Sequence, residues 1–173
     1  MLAATAIRAG EHRCVVAGGM ESMTNAPQLL MGQRRGTKMG DSTLVDSMIH
    51  DGLWDVYNDM HMGNTGEIVS EEFSISREGM DAFAVQSQHR AATAQSEGWF
   101  EWETVPVSVP QRRGDPVMVT VDEGVRGDTT AEGLARLRAV FDRDGKVTAG
   151  NASTLNDGAA AVLHAFHVAR VAH

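Results

Sequence analysis

Two uninterrupted apolar runs constrain this chain more than any other feature. One is Cys14–Met20, bounded by a glycine pair; the other is Gly158–Phe166, built mainly of small residues. Neither shows the strict alternation of a half-exposed strand, so each reads as a strand buried on both faces. The segment between them is polar and mixed, 137 residues long, about the size of a small domain. The simplest topology puts both strands in one sheet and inserts the middle as a subdomain. The expected fold class is therefore α/β.

The pattern predicts a helix over Met1–Gly10, with Leu2, Ala3, Ala6 and Ile7 on one stripe and Gly10 as its stop. Residues 24–50 read as irregular, with room for one short strand or helix. A short helix is expected over Gly66–Ser74, and a long one to about Ser96 capped by Ser76 and ended by Gly98. Its inward face is expected to carry Met80, Phe83, Ala84, Ala91 and Ala94. Val105–Val109 and Pro116–Val121 read as a hairpin around the turn 111–115, with Pro106 confining the first strand to an edge. Thr130–Arg138 is expected to form a short helix with Leu134 and Leu137 inward. Asp142–Gly145 reads as a turn.

Composition removes several functions. The chain has 173 residues, 42% hydrophobic and 22% charged, in the ordinary globular range. No apolar run approaches the ~18 residues of a membrane span. Fifteen Lys+Arg against 23 Asp+Glu give a net charge of −8, which disfavours nonspecific nucleic-acid binding. An anionic small ligand remains compatible with local basic residues. The single cysteine, Cys14, fits a reducing, cytoplasmic location and opens an expected buried strand, so it reads as structural. No secretory signal pattern is present. The first helix starts without a capping residue and the last segment, Val168–His173, follows an apolar stretch. Both ends read either as interior points of a longer protein or as the frayed ends of a small domain.

Candidate chemical motifs are few. His164 and His167 lack a third ligand, and His50 and His61 among Asp51, Asp55 and Asp59 give no zinc spacing; no metal is expected. Asp142 and Asp144 open like a calcium loop, but Lys146 and Ser153 occupy ligand positions, so the turn reading stands. His61-Met-Gly63 lies near a helix start, where a ligand site and an ordinary loop are both open. Ala149–Ser153, rich in small residues, leads into the second apolar run, a place where loops carry function.

Together these segments resemble the thiolase family. Val15-Val-Ala-Gly-Gly-Met-Glu-Ser-Met23 resembles the strand before its inserted loop domain. Asp51-Gly-Leu-Trp-Asp55 and His61-Met-Gly63 resemble its substrate loop. Lys146-Val-Thr-Ala-Gly-Asn-Ala-Ser153 and Leu155-Asn-Asp-Gly-Ala-Ala-Ala161 resemble its return to the N-terminal domain. The resemblance implies a layered α/β N-terminal half, present in part, with a large inserted α+β loop domain. Residues 1–25 would belong to the first domain, 26–148 to the loop domain, and 149–173 to the returning sheet.

His-Met-Gly is similar to the short-chain biosynthetic branch, the acetyl-CoA acetyltransferases. That implies condensation of two acetyl-CoA, or thiolysis of acetoacetyl-CoA, through a covalent acyl-cysteine. Coenzyme A is then substrate and product, no resident cofactor is expected, and the family forms homo-oligomers. Carried over by position, Leu53, His61 and Met62 would line the pantetheine channel. Arg126 would lie by the adenine, Phe141 and Ala149 would pack on CoA, and Ser153 would meet the pantetheine amide. Arg112 and Arg113 match a basic turn. The family nucleophile precedes the first helix, and its activating histidine and second cysteine lie in the C-terminal half; no catalytic residue is expected within this chain. The isolated chain is expected to be inactive, and a non-catalytic CoA-binding fragment is the alternative. Gly66, Ile68 and Gly133 depart from the residues usual in the family.

Overall fold

The computed structural model describes residues 1–165. His167 and the terminal segment from Val168 lie outside the described residues. Two compact units are present, one of residues 1–48 with the segment from 155 onward, the other Ile49–Thr154. These limits differ from the expected domain boundaries at 25/26 and 148/149. The residues after Ser22 form a hairpin that stays with the first unit, and the turn after Thr148 stays with the second.

In the first unit, helix α1 (Leu2–Arg8) leads through Gly10, at φ 80°, into strand β1 (Cys14–Ser22). β1 pairs antiparallel with β8 (Asp157–Ala165), Cys14 opposite Ala165 and Ser22 opposite Asp157. Both apolar runs thus form one sheet, as the sequence implied. A Cβ at Gly18 would overlap the Ala160 carbonyl, so glycine permits the close pairing there. The Ser22 hydroxyl and the Thr24 N–H donate to the Asp157 carboxylate at 3.2 and 2.9 Å and close the far end.

The expected two-sided burial is not observed. β8 is exposed along its whole length and β1 is at best half-buried. The reason is that the sheet has two strands, with only α1 packed on it among the described elements. Cys14 is accordingly an exposed free thiol rather than a core residue. The stretch read as irregular also has structure: β2 (Gln28–Leu30) pairs with β3 (Leu44–Asp46) around a 3-10 turn at Gln33–Arg35.

The second unit starts with β4 (Trp54–Asp55) and β5 (Met60–His61), a tight antiparallel pair. Helix α2 (Met62–Glu72) follows directly, then α3 (Arg77–Ser96). The Ser76 hydroxyl caps α3 by accepting from the Gly79 N–H at 3.1 Å, as expected, and Gly98 takes φ 70° past its end. β6 (Val107–Val109) and β7 (Val117–Val119) form the expected hairpin, shorter than anticipated, with Pro106 outside the ladder. α4 (Ala131–Ala135) is capped by Thr130.

The small core of this unit holds Ala94, Leu134 and Val147, with Ser70, Asp81 and Thr148 as buried polar groups. Leu137 and Phe83, expected inward, are 37% and 71% exposed. On α3, Ala94 is buried as expected and Met80, Ala84 and Ala91 are half-buried, and polar residues share that inward face. Asp81 meets Asn151, Gln88 accepts from the Arg126 N–H, and Gln95 donates to the Asp122 carbonyl. Gln88 and Gln95 thus satisfy loop backbone groups beside the apolar packing on that face.

Candidate functional site

All the residues assigned to a CoA wall lie in the second unit. The tightest group forms where β5 runs into α2. His61 is the N-cap of α2: its Nδ1 accepts the Gly63 N–H at 3.0 Å. In the neutral ring this puts the remaining proton on Nε2, which is left as a donor. The expected helix start at Gly66 is four residues late, because Met62–Thr65 are already helical. A histidine cap lies outside the usual Ser, Thr, Asp and Asn set, so capping preferences do not mark this helix start in the sequence.

The Met62 N–H donates to the Leu53 carbonyl at 2.8 Å, which anchors Leu53 beside the helix start. Met62 itself is 44% exposed, with its thioether available for contact. The Phe141 ring stacks on His61 with centroids 4.8 Å apart. Gly63 makes this possible, since a Cβ there would overlap that ring. Leu53, His61, Met62 and Phe141 are thus brought together. A groove of about 450 Å³ runs alongside, lined in part by Trp54, Asp59, Met60, His61, Asn64 and Asp142.

The rim of this groove is held by acidic side chains. The Trp54 indole donates to Asp59 at 3.1 Å. The Asn58 amide, then the Tyr57 N–H, hold the Asp55 carboxyl below the usual aspartate range. Glu67, on α2, accepts from the Lys146 N–H at 2.8 and 3.0 Å and from the Val147 N–H at 2.8 Å. Lys146 returns to α2 through Glu71 at 3.3 Å. The segment carrying Ala149 and Ser153 is therefore tied to the helix that carries Met62. Ala149 and Ser153 themselves are exposed on the turn that follows.

Arg126 sits apart from that group. It is exposed, in a loop docked on α3 through Gln88. Arg112 and Arg113 lie exposed in the connection between β6 and β7. Glu67, Asp81 and Asn151 were not singled out from the sequence. The Arg77/Asp81 spacing of one helical turn was the available signal for Asp81. Among the described residues no three His, Cys, Asp or Glu side chains converge as metal ligands. No helix among them is long and apolar enough to cross a membrane.

Comparison with known proteins gives one consistent result. The family model "Thiolase, N-terminal domain" matches residues 1–166. An acetyl-CoA acetyltransferase of Cupriavidus necator is 56% identical over 163 residues, 94% of this chain and 42% of its own length. A probable acetyl-CoA acyltransferase of Staphylococcus aureus is 55% identical over 162 residues, 94% of this chain and 41% of its own length. The acetyl-CoA acetyltransferase of Bacillus anthracis superposes with TM-score 0.87 at 40% identity, covering 94% of this chain and 41% of that one. Human mitochondrial 3-ketoacyl-CoA thiolase, solved with CoA, gives 0.82 at 41% identity over 92% of this chain and 39% of its own. The chain spans about two fifths of the length of these relatives. Its α/β fold is that of the thiolases, and the chain belongs to the thiolase family through a match to its N-terminal domain.

Proposed function

We propose that this chain supplies the CoA-binding wall of an acetyl-CoA C-acetyltransferase, which condenses two acetyl-CoA or cleaves acetoacetyl-CoA with CoA. The identity of 56% to a protein named acetyl-CoA acetyltransferase carries the reading. The site residues suit it. A pantetheine arm is an alkyl chain interrupted by amides, and it needs apolar walls with a few fixed polar partners. Leu53, Met62 and Phe141 offer the walls, and His61 offers a donor whose tautomer is set by the Gly63 N–H. Ala149 and Ser153 would meet the arm from the 148–153 turn. Arg126 would attract the adenine nucleotide end, a local positive charge on a chain of net −8.

CoA enters as substrate and product, with no resident cofactor. The reading includes a homo-oligomeric full-length protein in a reducing cytoplasm, where the exposed Cys14 stays a thiol. It also makes the 173-residue stretch alone inactive. Its one cysteine, Cys14, opens β1, whereas the resemblance puts the family nucleophile before the first helix.

The test is acetoacetyl-CoA thiolysis, followed by loss of the 3-ketothioester absorbance. The full-length protein should turn over, and His61→Ala should raise KM for CoA about tenfold while leaving the fold intact. The isolated chain should bind CoA without turnover. Turnover by the pure isolated chain overturns its inactivity, and absence of CoA heat at millimolar ligand overturns the wall.

A further inference from the structure

A buried polar chain lies behind the proposed wall. Asp81 is 4% exposed and its carboxylate accepts from two sides: Arg77 Nε at 2.8 Å and Asn151 Nδ2 at 2.9 Å. The same Asn151 amide nitrogen donates to the Lys146 carbonyl at 3.0 Å. Its oxygen accepts the Thr148 N–H at 2.7 Å. A carboxylate and a carbonyl can only accept, and a backbone N–H can only donate, so the orientation of the amide is determined. Thr148 is fully buried, and its hydroxyl accepts the Gly150 N–H at 3.2 Å. Arg77 extends the chain to the Leu134 carbonyl at 2.7 Å.

We propose that Asp81 and Asn151 are positioning residues: by fixing the Asn151 amide, Asp81 sets the 148–153 turn that presents Ala149 and Ser153 to CoA. The inference rests on the CoA-wall reading above. Its physical basis is the number of constraints. One side chain, Asn151, spans from Lys146 to Thr148 while itself held from α3, so the turn has little freedom to slide or rotate. A buried carboxylate with both oxygens satisfied holds its partners more strongly than a neutral group. Neither Asp81 nor Asn151 needs to touch the ligand to affect it.

The experiment uses the chain itself, with CoA calorimetry and amide hydrogen exchange below the melting temperature of every variant. Asn151→Asp sets a second carboxylate against Asp81. CoA binding should weaken about tenfold, the loss expected for a broken charge-assisted hydrogen bond. Exchange at Thr148 and Gly150 should accelerate. The double variant D81N/N151D restores a donor facing an acceptor between the two positions, though not the donation to the Lys146 carbonyl, and should recover about a third of the lost factor in affinity. A role in overall stability alone would shift melting without this rescue of binding. If N151D does not fold, the near-isosteric Asp81→Asn replaces it, with about threefold weaker binding expected. Unchanged affinity in a variant of an otherwise CoA-binding chain overturns the positioning role alone. Absence of CoA binding in the unaltered chain overturns the wall reading, and the inference with it. Faster exchange with unchanged affinity also overturns the inference.

Discussion

The imidazole of His61 stacks on the Phe141 ring at 4.8 Å, inclined by 30°, while its Nδ1 accepts the Gly63 N–H. One side chain thus ends a strand, caps a helix and seats an aromatic ring from a distant turn. The Phe141 ring lies where a Cβ at position 63 would be. Gly63→Ala should therefore displace Phe141 and destabilise the second unit by about 1–3 kcal/mol, the usual cost of overpacking. Phe141→Ala alone should cost about 2 kcal/mol, less than a fully buried aromatic because the ring is half-exposed. Added to F141A, the G63A change should cost little. Urea melts of the two single variants and the double variant read this coupling; strict additivity would refute the contact.

Glu67 accepts three backbone hydrogen bonds from Lys146 and Val147, and a Cβ at Gly145 would collide with its carboxylate. This side chain is the strongest tie between α2 and the 146–153 segment. Glu67→Ala should lose about 2 kcal/mol, as expected when amides lose a charged acceptor. Glu67→Gln should lose about half of that, since one carbonyl oxygen remains. Thermal melts followed by far-UV circular dichroism give the order; equal stability of all three would show that water replaces the carboxylate without cost.

Asp157 gives the first unit an acid-sensitive point. The Thr24 N–H is the main cause that holds its carboxyl below the ordinary aspartate value, with the Ser22 hydroxyl assisting and burial opposing. A depressed folded-state pKa means a contribution that is fully present above the unfolded value, about 4, and is lost as pH falls through the folded one. Carbon-detected NMR titration should therefore place the Asp157 midpoint below that of an exposed aspartate. Asp157→Asn should remove this part of the acid sensitivity and fray the Ser22 end of β1. A midpoint at or above the ordinary value would contradict the hydrogen bonds.

Much of this was legible from residue patterns, and the misses share a cause. The Ser76 cap, the Gly98 stop, the 105–121 hairpin and the pairing of the two apolar runs follow from local chemistry. On α3 the apolar stripe through Ala94 was legible, but the polar members of that face were not, because Asp81, Gln88 and Gln95 pair with loop groups, which an apolar count cannot register. The π-helical turn at Met48–Gly52 and the His61 cap also depend on specific backbone geometry rather than period. Of the site residues, Leu53, His61, Met62 and Phe141 lie together at the start of α2. The ties of Glu67 to Lys146 and Val147 and of Asn151 to Asp81 were illegible because these partners are distant in sequence, a relation that spacing does not encode.

The β1–β8 ribbon leads to the last prediction. Val16, Met20, Val162 and Leu163 are 71%, 83%, 55% and 68% exposed, on a sheet of two strands. Two-stranded ribbons with exposed apolar faces and unpaired edges are marginal alone and add further strands readily. The relatives are about two and a half times as long, so their domains contain chain beyond the stretch matched here. The isolated 173-residue chain should therefore bind a hydrophobic dye such as ANS and self-associate at micromolar concentration. Val16→Lys and Leu163→Lys should reduce both effects by placing charge on exposed ribbon positions, while leaving CoA binding by the second unit unchanged. Light scattering and dye fluorescence measure the outcome. A monomeric chain with no dye signal would show that these side chains are covered in solution, and would overturn the exposure on which the prediction rests.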